Sequence, residues 1–334
     1  MGSLAVAMAL AYALTNGLHD AANSIAALVA TGGARPSQAI VLATVGNVLG
    51  PLVLGTAVAD TIAGIVTVSR GDVIAVVGAG LTGAVAWNFF TWSRGLPSSS
   101  GHALVGGLAG AALVDAGVHA VRWGGVTSGL RPVGVIGSLV ALAVAPVAGF
   151  VAGFAVERLL RRSLARATDR VRPGVHAGQW LMSGLLAFGH GANDASKSVG
   201  VVAVVLLADG SIDTLHAPTW TKVACALSLS FGTMLGGWPI VRTIGRRIFR
   251  LRPVDGLALE TGSSLVLLVS TVAGAPVSTT QVVSTAVIGV GAGRHRWRRI
   301  RWPVVREIAV TWLTTLPISA GLAAVALLPW RWLS

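Results

Sequence analysis

Long apolar stretches alternate with short basic or polar connections along the whole chain. Uncharged runs occupy 36–59, 73–93, 95–114, 132–156 and 223–241. Each is close to or above the roughly 20 apolar residues that cross the hydrocarbon core of a bilayer as a helix. The pattern predicts an all-α polytopic membrane protein.

Composition supports the same class. The chain of 334 residues is 54% hydrophobic and 11% charged, with a mean hydropathy of +0.76, whereas about 25% of the residues of soluble domains are charged. The 43 glycines suit helices that pack closely in lipid. We therefore expect a multi-pass protein of the plasma (inner) membrane, with the lipid bilayer as its surroundings.

The net charge of +13 does not predict nucleic-acid binding, because the arginines lie between apolar segments rather than along one helix face. Three arginine-dense runs, 158–172, 242–252 and 294–301, are expected in the cytoplasm, where short basic loops remain. Counting crossings from these loops places both termini outside the cytoplasm. Cys225 is the single cysteine, so no intrachain disulfide can form.

Two regions leave the number of crossings open. The uncharged stretch inside 253–293 is short for two full crossings, and the region 73–114 raises the same question. Each region can either cross fully or form a re-entrant hairpin. We expect about ten crossing or re-entrant segments in total.

Two motifs occur twice in the same order. The segment 19–26 aligns with 193–200 through shared Asp, Ala and Ser, and 96–102 aligns with 275–281 through the pattern Pro-x-Ser-Ser/Thr-x-His/Gln. Two ordered matches at nearly constant spacing indicate a duplication.

The duplication predicts three parts: a first repeat at 1–156, a basic cytoplasmic linker at 157–173 and a second repeat at 174–334. Each repeat holds about five segments, an odd number, so the second copy is expected to enter the membrane in the opposite sense. Inverted repeats of this kind are typical of secondary transporters, which bind substrate where the repeats meet.

Charged residues inside apolar segments indicate a functional centre. Asp20, Asp194 and Lys197 are the cases here, and a charge at membrane depth is costly without a partner or a role in a pathway. Asn16 and Gly17 precede Asp20, and a Gly-rich stretch precedes Asp194, so we expect broken helices at both motifs. The alternative is that the two aspartates are structural partners of Lys197.

The Pro-Ser/Thr strings offer hydroxyl donors beside the free amides of a Pro-initiated helix, which suits a tetrahedral oxyanion. Either string alone is better explained by hydroxyls that bond their own backbone or a neighbouring helix, but the repetition favours a ligand site. His19, His102 and His190 are candidates for proton transfer, or for structural hydrogen bonds.

At these residues the chain resembles the PiT family of inorganic phosphate transporters, which carry a Gly-Ala-Asn-Asp-type motif once in each inverted half. The copies here are 16–24 and 189–198, and the resemblance covers nearly the whole chain. It implies a secondary active transporter that moves inorganic phosphate by alternating access, with the motif aspartates lining the substrate and coupling-ion site.

The resulting site prediction has two groups. The expected phosphate ligands are Asn23, Ser98, Ser99, Ser100, Asn193, Lys197, Ser278, Thr279, Thr280 and Gln281. The expected coupling-ion or proton residues are Asp20, Asp194, His19, His102 and His190.

Two departures from the family motif bear on the coupling ion. His19 and Lys197 stand where the usual motif has Asn. An ammonium at position 197 would occupy or repel a cation there, so we expect protons rather than sodium to drive uptake.

Other functions stay open. Sodium coupling, transport of a metal-phosphate complex, a sulfate or other oxyanion permease and an anion channel are the alternatives. Common enzyme motifs are absent from the sequence, so we expect no enzyme, no cofactor and no resident metal. A homodimer is kept as an option.

Overall fold

The computed structural model describes residues 1–54, 57–65, 70–125 and 134–333, and their regular structure is helical, with no β-strand. The α-helices of these residues are α1 (Gly2–Ala30), α2 (Pro36–Leu54), α3 (Ala57–Ala63), α4 (Arg70–Ser93), α5 (Ser100–Ala116), α6 (Gly134–Ser163), α7 (Arg172–Ala208), α8 (Thr219–Leu235), α9 (Trp238–Arg242), α10 (Pro253–Val272), α11 (Thr279–Gly293) and α12 (Trp302–Leu333).

The expected membrane character is confirmed. Within the described ranges, 6 helices are long and apolar enough to cross a membrane, by length and composition. The number rises to 7 if α8 and the segment Trp238–Ile248, which meet at a bend of 63°, form one broken span.

Helices α1 and α7 run without interruption through Asp20 and Asp194, so the expected breaks at the two motifs are wrong. The motif glycines have another use, because they let neighbouring helices approach closely. A Cβ on Gly17 would collide with the carbonyl oxygen of Leu229 in α8, and one on Gly191 would lie 2.5 Å from the Cα of Asn47 in α2.

The two motif helices are antiparallel and cross near their aspartates. Gly2 at the start of α1 packs against Asp209, which follows the end of α7. At the other end, the side-chain amide of Gln179 in α7 donates to the Thr31 hydroxyl at 3.0 Å. This crossing brings Asp20 and Asp194 to the middle of the protein.

The helix breaks at the centre occur in the Pro-Ser/Thr strings. Helices α4 and α5 form a hairpin in which Gly80 packs against Gly107, and α10 and α11 form the corresponding hairpin of the second half. Helix α5 has 17 residues and α11 has 15, fewer than the roughly 20 needed to cross. Both begin at the buried centre, which favours the re-entrant alternative.

Apolar side chains form two cores, one around each hairpin. The first core joins α4, α5 and α12 to the first half of α1 and the second half of α7. The second core joins α2, α10 and α11 to the remaining halves of α1 and α7. The polar centre therefore lies between two apolar bodies that α1 and α7 connect.

Several helices of the first predicted repeat pack on helices of the second. Helix α1 packs on α8 while α7 packs on α2, and α5 packs on α12 while α11 packs on α6. The predicted boundaries at 156 and 174 therefore do not separate two independently packed bodies. The opposite membrane sense of complete repeats remains a prediction.

Candidate functional site

The carboxylate of Asp20 receives donors from both hairpins. The Ser100 hydroxyl at the start of α5 donates to Oδ2 at 2.9 Å, and the Thr280 hydroxyl in α11 donates to Oδ1 at 2.5 Å. His19 Nδ1 lies 2.9 Å from Oδ1. The other ring nitrogen of His19 lies 3.0 Å from the Ser98 hydroxyl. All of these side chains are buried.

The carboxylate of Asp194 has basic partners instead. The Lys197 ammonium donates to Asp194 Oδ1 and also to the carbonyl oxygen of Val277 at 2.7 Å. His190 Nε2 lies 2.8 Å from Asp194 Oδ2, and the Thr279 hydroxyl donates to the same oxygen at 3.4 Å. The side chains of Asp194 and Lys197 are both 1% exposed, so this ion pair is enclosed by protein.

The two carboxylates belong to one cluster. The neighbouring hydroxyls of Thr279 and Thr280 contact Asp194 and Asp20 respectively. One oxygen of each carboxylate and one ring nitrogen of His190 lie within 4.8 Å of one another. With neutral imidazoles the cluster carries one carboxylate charge in excess of its ammonium, a charge state suited to receiving a proton or a cation.

Both hairpin helices begin at this cluster and have matching caps. The Ser99 hydroxyl accepts from the backbone N–H of His102 at 3.2 Å, and the Ser278 hydroxyl accepts from that of Gln281 at 3.4 Å. The first amides of a helix have no partner within it and favour an anion. A Cβ at Gly101 in α5 would lie 3.6 Å from the Lys197 ammonium, so this cation faces the start of α5.

The remaining predicted residues differ in how close they come to the carboxylates. Asn23 donates to the Thr280 hydroxyl at 3.0 Å, so it belongs to the cluster. Asn193 donates to Thr271 and to the carbonyl of Ala275, which directs it to the turn between α10 and α11.

Several of the predicted side chains carry a buried polar atom without a hydrogen-bond partner among the described residues. These atoms include Asn23 Oδ1, His102 Nδ1, Asn193 Oδ1 and Gln281 Oε1.

Sequence reasoning missed two supporting groups. The side-chain oxygen of Asn47 in α2 accepts from His190 Nδ1 at 2.9 Å, and its side-chain nitrogen donates to the Thr233 hydroxyl at 2.9 Å. Tyr12 is fully buried and donates to the Ser100 carbonyl at 3.0 Å. A lone amide inside an apolar helix was the available signal for Asn47.

Residues 16–323 match the model of the Phosphate transporter family. The chain belongs to this family. The match spans both motifs and both hairpins, so the polar cluster described above lies inside the matched region of a phosphate transporter, which is not an enzyme.

Relatives of this phosphate transporter agree along nearly its whole length. A protein of Mycobacterium tuberculosis is 39% identical over 96% of this chain and 75% of its own. Relatives from Rhizobium meliloti and Bacillus subtilis are 38% and 37% identical, over 93% and 95% of their lengths. All three are named as a probable low-affinity inorganic phosphate transporter.

The fold is also found in a solved structure titled "The sodium-dependent phosphate transporter". The two chains superpose with a TM-score of 0.87 and cover 100% and 99% of each other, at 23% identity. This likeness confirms the all-helical transporter fold.

Proposed function

We propose that the chain is a proton-coupled phosphate symporter. The charged motif carboxylates accept the hydrogen bonds that phosphate would need, and protonation of the carboxylates releases these donors to phosphate. One observation carries the proposal. The Ser100 and Thr280 hydroxyls donate to Asp20, and the Lys197 ammonium donates to Asp194. These are the donors that a buried phosphate would need.

Coupling follows from competition for these donors. A hydroxyl has one proton to donate, so Ser100 cannot serve Asp20 and a phosphate oxygen together. A protonated Asp20 requires fewer donors, which releases Ser100 and Thr280 to the substrate. A protonated Asp194 likewise releases the charge of Lys197. Proton binding and phosphate binding then strengthen each other by the same factor.

The proposed phosphate position lies between the starts of α5 and α11, beside Lys197. Amides at two helix N-termini, flanking hydroxyls and one ammonium together provide charge and directional donors for a tetrahedral anion. Asn23, Ser98, Ser99, Asn193, Ser278, Thr279 and Gln281 are the further ligands of this proposal. His19, His102 and His190 are proposed to pass or hold the coupling proton.

Sodium is the rival coupling ion, and two observations favour it. The solved relative is titled sodium-dependent, and oxygens of Asp20 and Asp194 lie close enough to share a cation with His190. Protons are preferred because the Lys197 ammonium already contacts Asp194, so a metal cation there would face like-charge repulsion.

Alternating access is proposed to use the two apolar cores. Because α1 and α7 pass through both cores, rocking of one core against the other would open the crossing point to either side in turn. The proposed setting is the plasma membrane, with both termini outside the cytoplasm.

The uptake experiment uses purified protein in liposomes. Labelled phosphate should accumulate under an inward proton gradient without sodium. Strict sodium dependence would refute proton coupling, and equal competition by sulfate would refute phosphate selectivity. Metal-phosphate complexes are tested in the same assay, and accumulation against a gradient excludes an anion channel.

The variant experiment tests the role of the Asp194 carboxylate. In Asp194→Asn, Lys197 is permanently released, so phosphate binding should become stronger and less dependent on pH while uphill uptake disappears. Asp213→Asn removes an exposed carboxylate from a loop and should behave as the parent protein. Normal uphill uptake by Asp194→Asn would return Asp194 to a structural role.

A further inference from the structure

A cavity of about 950 Å³ lies where two arginine-rich segments meet, away from the cluster of the two motif carboxylates. The segments are 242–252 and 294–301, which are far apart in sequence. Seven arginines line the cavity, and they are Arg246, Arg250, Arg252, Arg294, Arg296, Arg299 and Arg301. The cavity thus concentrates positive charge from both segments.

Almost none of this charge is compensated. No Asp or Glu is among the described residues that line the cavity. Arg294 alone of the seven forms an ion pair within the described ranges, with Asp255 at 2.5 Å. Asp255 also accepts from the backbone N–H of Arg252 at 2.9 Å. Six arginines therefore repel one another across a shared space unless an anion enters it.

The lining is held in place by the fold. The backbone N–H of Arg301 donates to the carbonyl of Ile248 at 3.0 Å, which joins the two segments. Phe249, Leu251 and Ile300 are buried beside these arginines, so each segment is anchored by apolar contacts. A preorganised lining lowers the ordering cost of binding.

Helix α10 adds to the positive potential. Its first residue, Pro253, lines the cavity together with Arg252, which precedes it. The start of a 20-residue helix carries a partial positive charge. The side chain of Asp255 caps this helix and pairs with Arg294, and it forms no ion pair with the other six arginines of the lining.

We infer that the cavity is a binding site for a soluble anion that carries several phosphate groups in a chain, such as a linear triphosphate. Orthophosphate carries too little charge to balance six arginines and needs far less than the 950 Å³ available, a volume within the usual range for small-molecule sites. One guanidinium group can donate two parallel hydrogen bonds to a phosphate group. Arginines of the two segments can therefore bind successive phosphate groups of one anion.

The site is separate from the transported phosphate and adjoins the same helix. Ala30 and Thr31, at the end of α1, line the cavity. They follow Asp20 by about three turns, roughly 15 Å along the helix axis. A bound polyanion would therefore contact the end of the helix that carries the first motif carboxylate.

The general excess of arginine on one membrane face does not explain the arrangement. Basic loops that only fix topology can scatter their charges, because orientation depends on the number of positive residues near the helix ends. Here the charged residues converge on one shared cavity. Carboxylates that usually accompany surface arginines are missing from it.

The test measures binding of tripolyphosphate to the purified full-length protein in detergent by isothermal titration calorimetry. We expect one site, with an affinity at least about tenfold above that for orthophosphate and a steep loss of affinity as salt rises. The double variant Arg250→Gln/Arg299→Gln removes one exposed arginine from each segment and should weaken binding by about tenfold or more.

The matched control is Arg166→Gln/Arg170→Gln. It makes the same charge change at exposed linker arginines that do not line the cavity, and it should bind as the parent does. Both double variants are checked for folding by gel filtration and thermal melting. Equal loss of affinity in both would show nonspecific attraction and overturn the proposal.

Two further outcomes would also overturn it. Orthophosphate that binds as tightly as tripolyphosphate at these arginines would make the cavity a vestibule of the transport route. A protein that ignores tripolyphosphate but requires cardiolipin in nanodiscs, in a manner abolished by Arg250→Gln/Arg299→Gln, would make the occupant a lipid headgroup.

Discussion

Replacing Lys197 by Met should show how much its ammonium contributes to the stability of the polar centre, apart from its proposed role in transport. The substitution removes the ammonium from a buried carboxylate and keeps the length of the side chain. Asp194 and Lys197 are each 1% exposed, so water cannot replace the lost charge. The variant therefore contains a buried carboxylate with one cationic partner fewer.

The expected cost follows from the geometry. Breaking a buried ion pair by removing one partner destabilises a protein by about 3–5 kcal/mol. Here His190 still lies 2.8 Å from the same carboxylate and remains beside it as a polar partner, so we expect the lower end, about 3 kcal/mol. In a chain of this size that lowers the Tm by about 5 °C or more.

Thermal melting in detergent measures this loss at several pH values. Because a proton on Asp194 would neutralise the carboxylate that has lost its ammonium, the loss of Tm should shrink as the pH falls. The double variant Asp194→Asn/Lys197→Met should regain most of the Tm without regaining phosphate binding. Lys222→Met, at the other and half-exposed lysine, is the matched control. An unchanged Tm for Lys197→Met at every pH would refute the buried ion pair.

Three further substitutions follow from single contacts. Thr280→Val keeps the shape but removes a donor to the first motif carboxylate, and it should weaken phosphate binding about tenfold in an equilibrium binding assay. Gly50→Ala places a Cβ against the backbone of α7 and should abolish folded expression, whereas Gly321→Ala, with no described atom within 4 Å, should leave the Tm within about 1 °C. Asn47→Ala leaves His190 without its 2.9 Å partner and should slow uptake several-fold while gel-filtration profiles remain normal.

The sequence was sufficient to predict the residues at the centre because charges are rare in apolar runs. Asp20, Asp194 and Lys197 do meet there, and both Pro-Ser/Thr strings contact them. A pairing of Lys197 with an aspartate was one of the two alternatives, but the full set of contacts that Lys197 makes was not predictable. Lys197 is three positions from Asp194 on its own helix and also reaches the Val277 carbonyl on the second hairpin, a contact that depends on tertiary packing.

Glycine explains the main error. A Gly-rich stretch beside a charge is compatible with a helix break and equally with a close helix crossing. The sequence alone cannot distinguish them, because the deciding atoms belong to other helices. At Gly191 the neighbour is the backbone of Asn47, so α7 continues and the glycine permits contact.

The arginine runs illustrate a different gap. They predicted loop orientation, since the number of positive charges near helix ends is a local property. Their convergence around one cavity depends on how α10 and α11 fold back on each other. Arg301 and Ile248 are joined by a backbone hydrogen bond that nothing in the sequence indicates.

The two motif carboxylates accept hydrogen bonds from donors of different strength, so the two residues should contribute unequally to coupling. Asp20 holds two neutral hydroxyls, whereas Asp194 holds an ammonium, and hydrogen bonds from charged donors are roughly twice as strong as neutral ones. Neutralising Asp194 would therefore release the stronger of the proposed phosphate ligands. Asp194→Asn should raise phosphate affinity at neutral pH more than Asp20→Asn does, and calorimetric titration of both variants measures the difference. Equal gains would mean that Lys197 does not bind phosphate, and the hydroxyls alone would then have to account for the coupling.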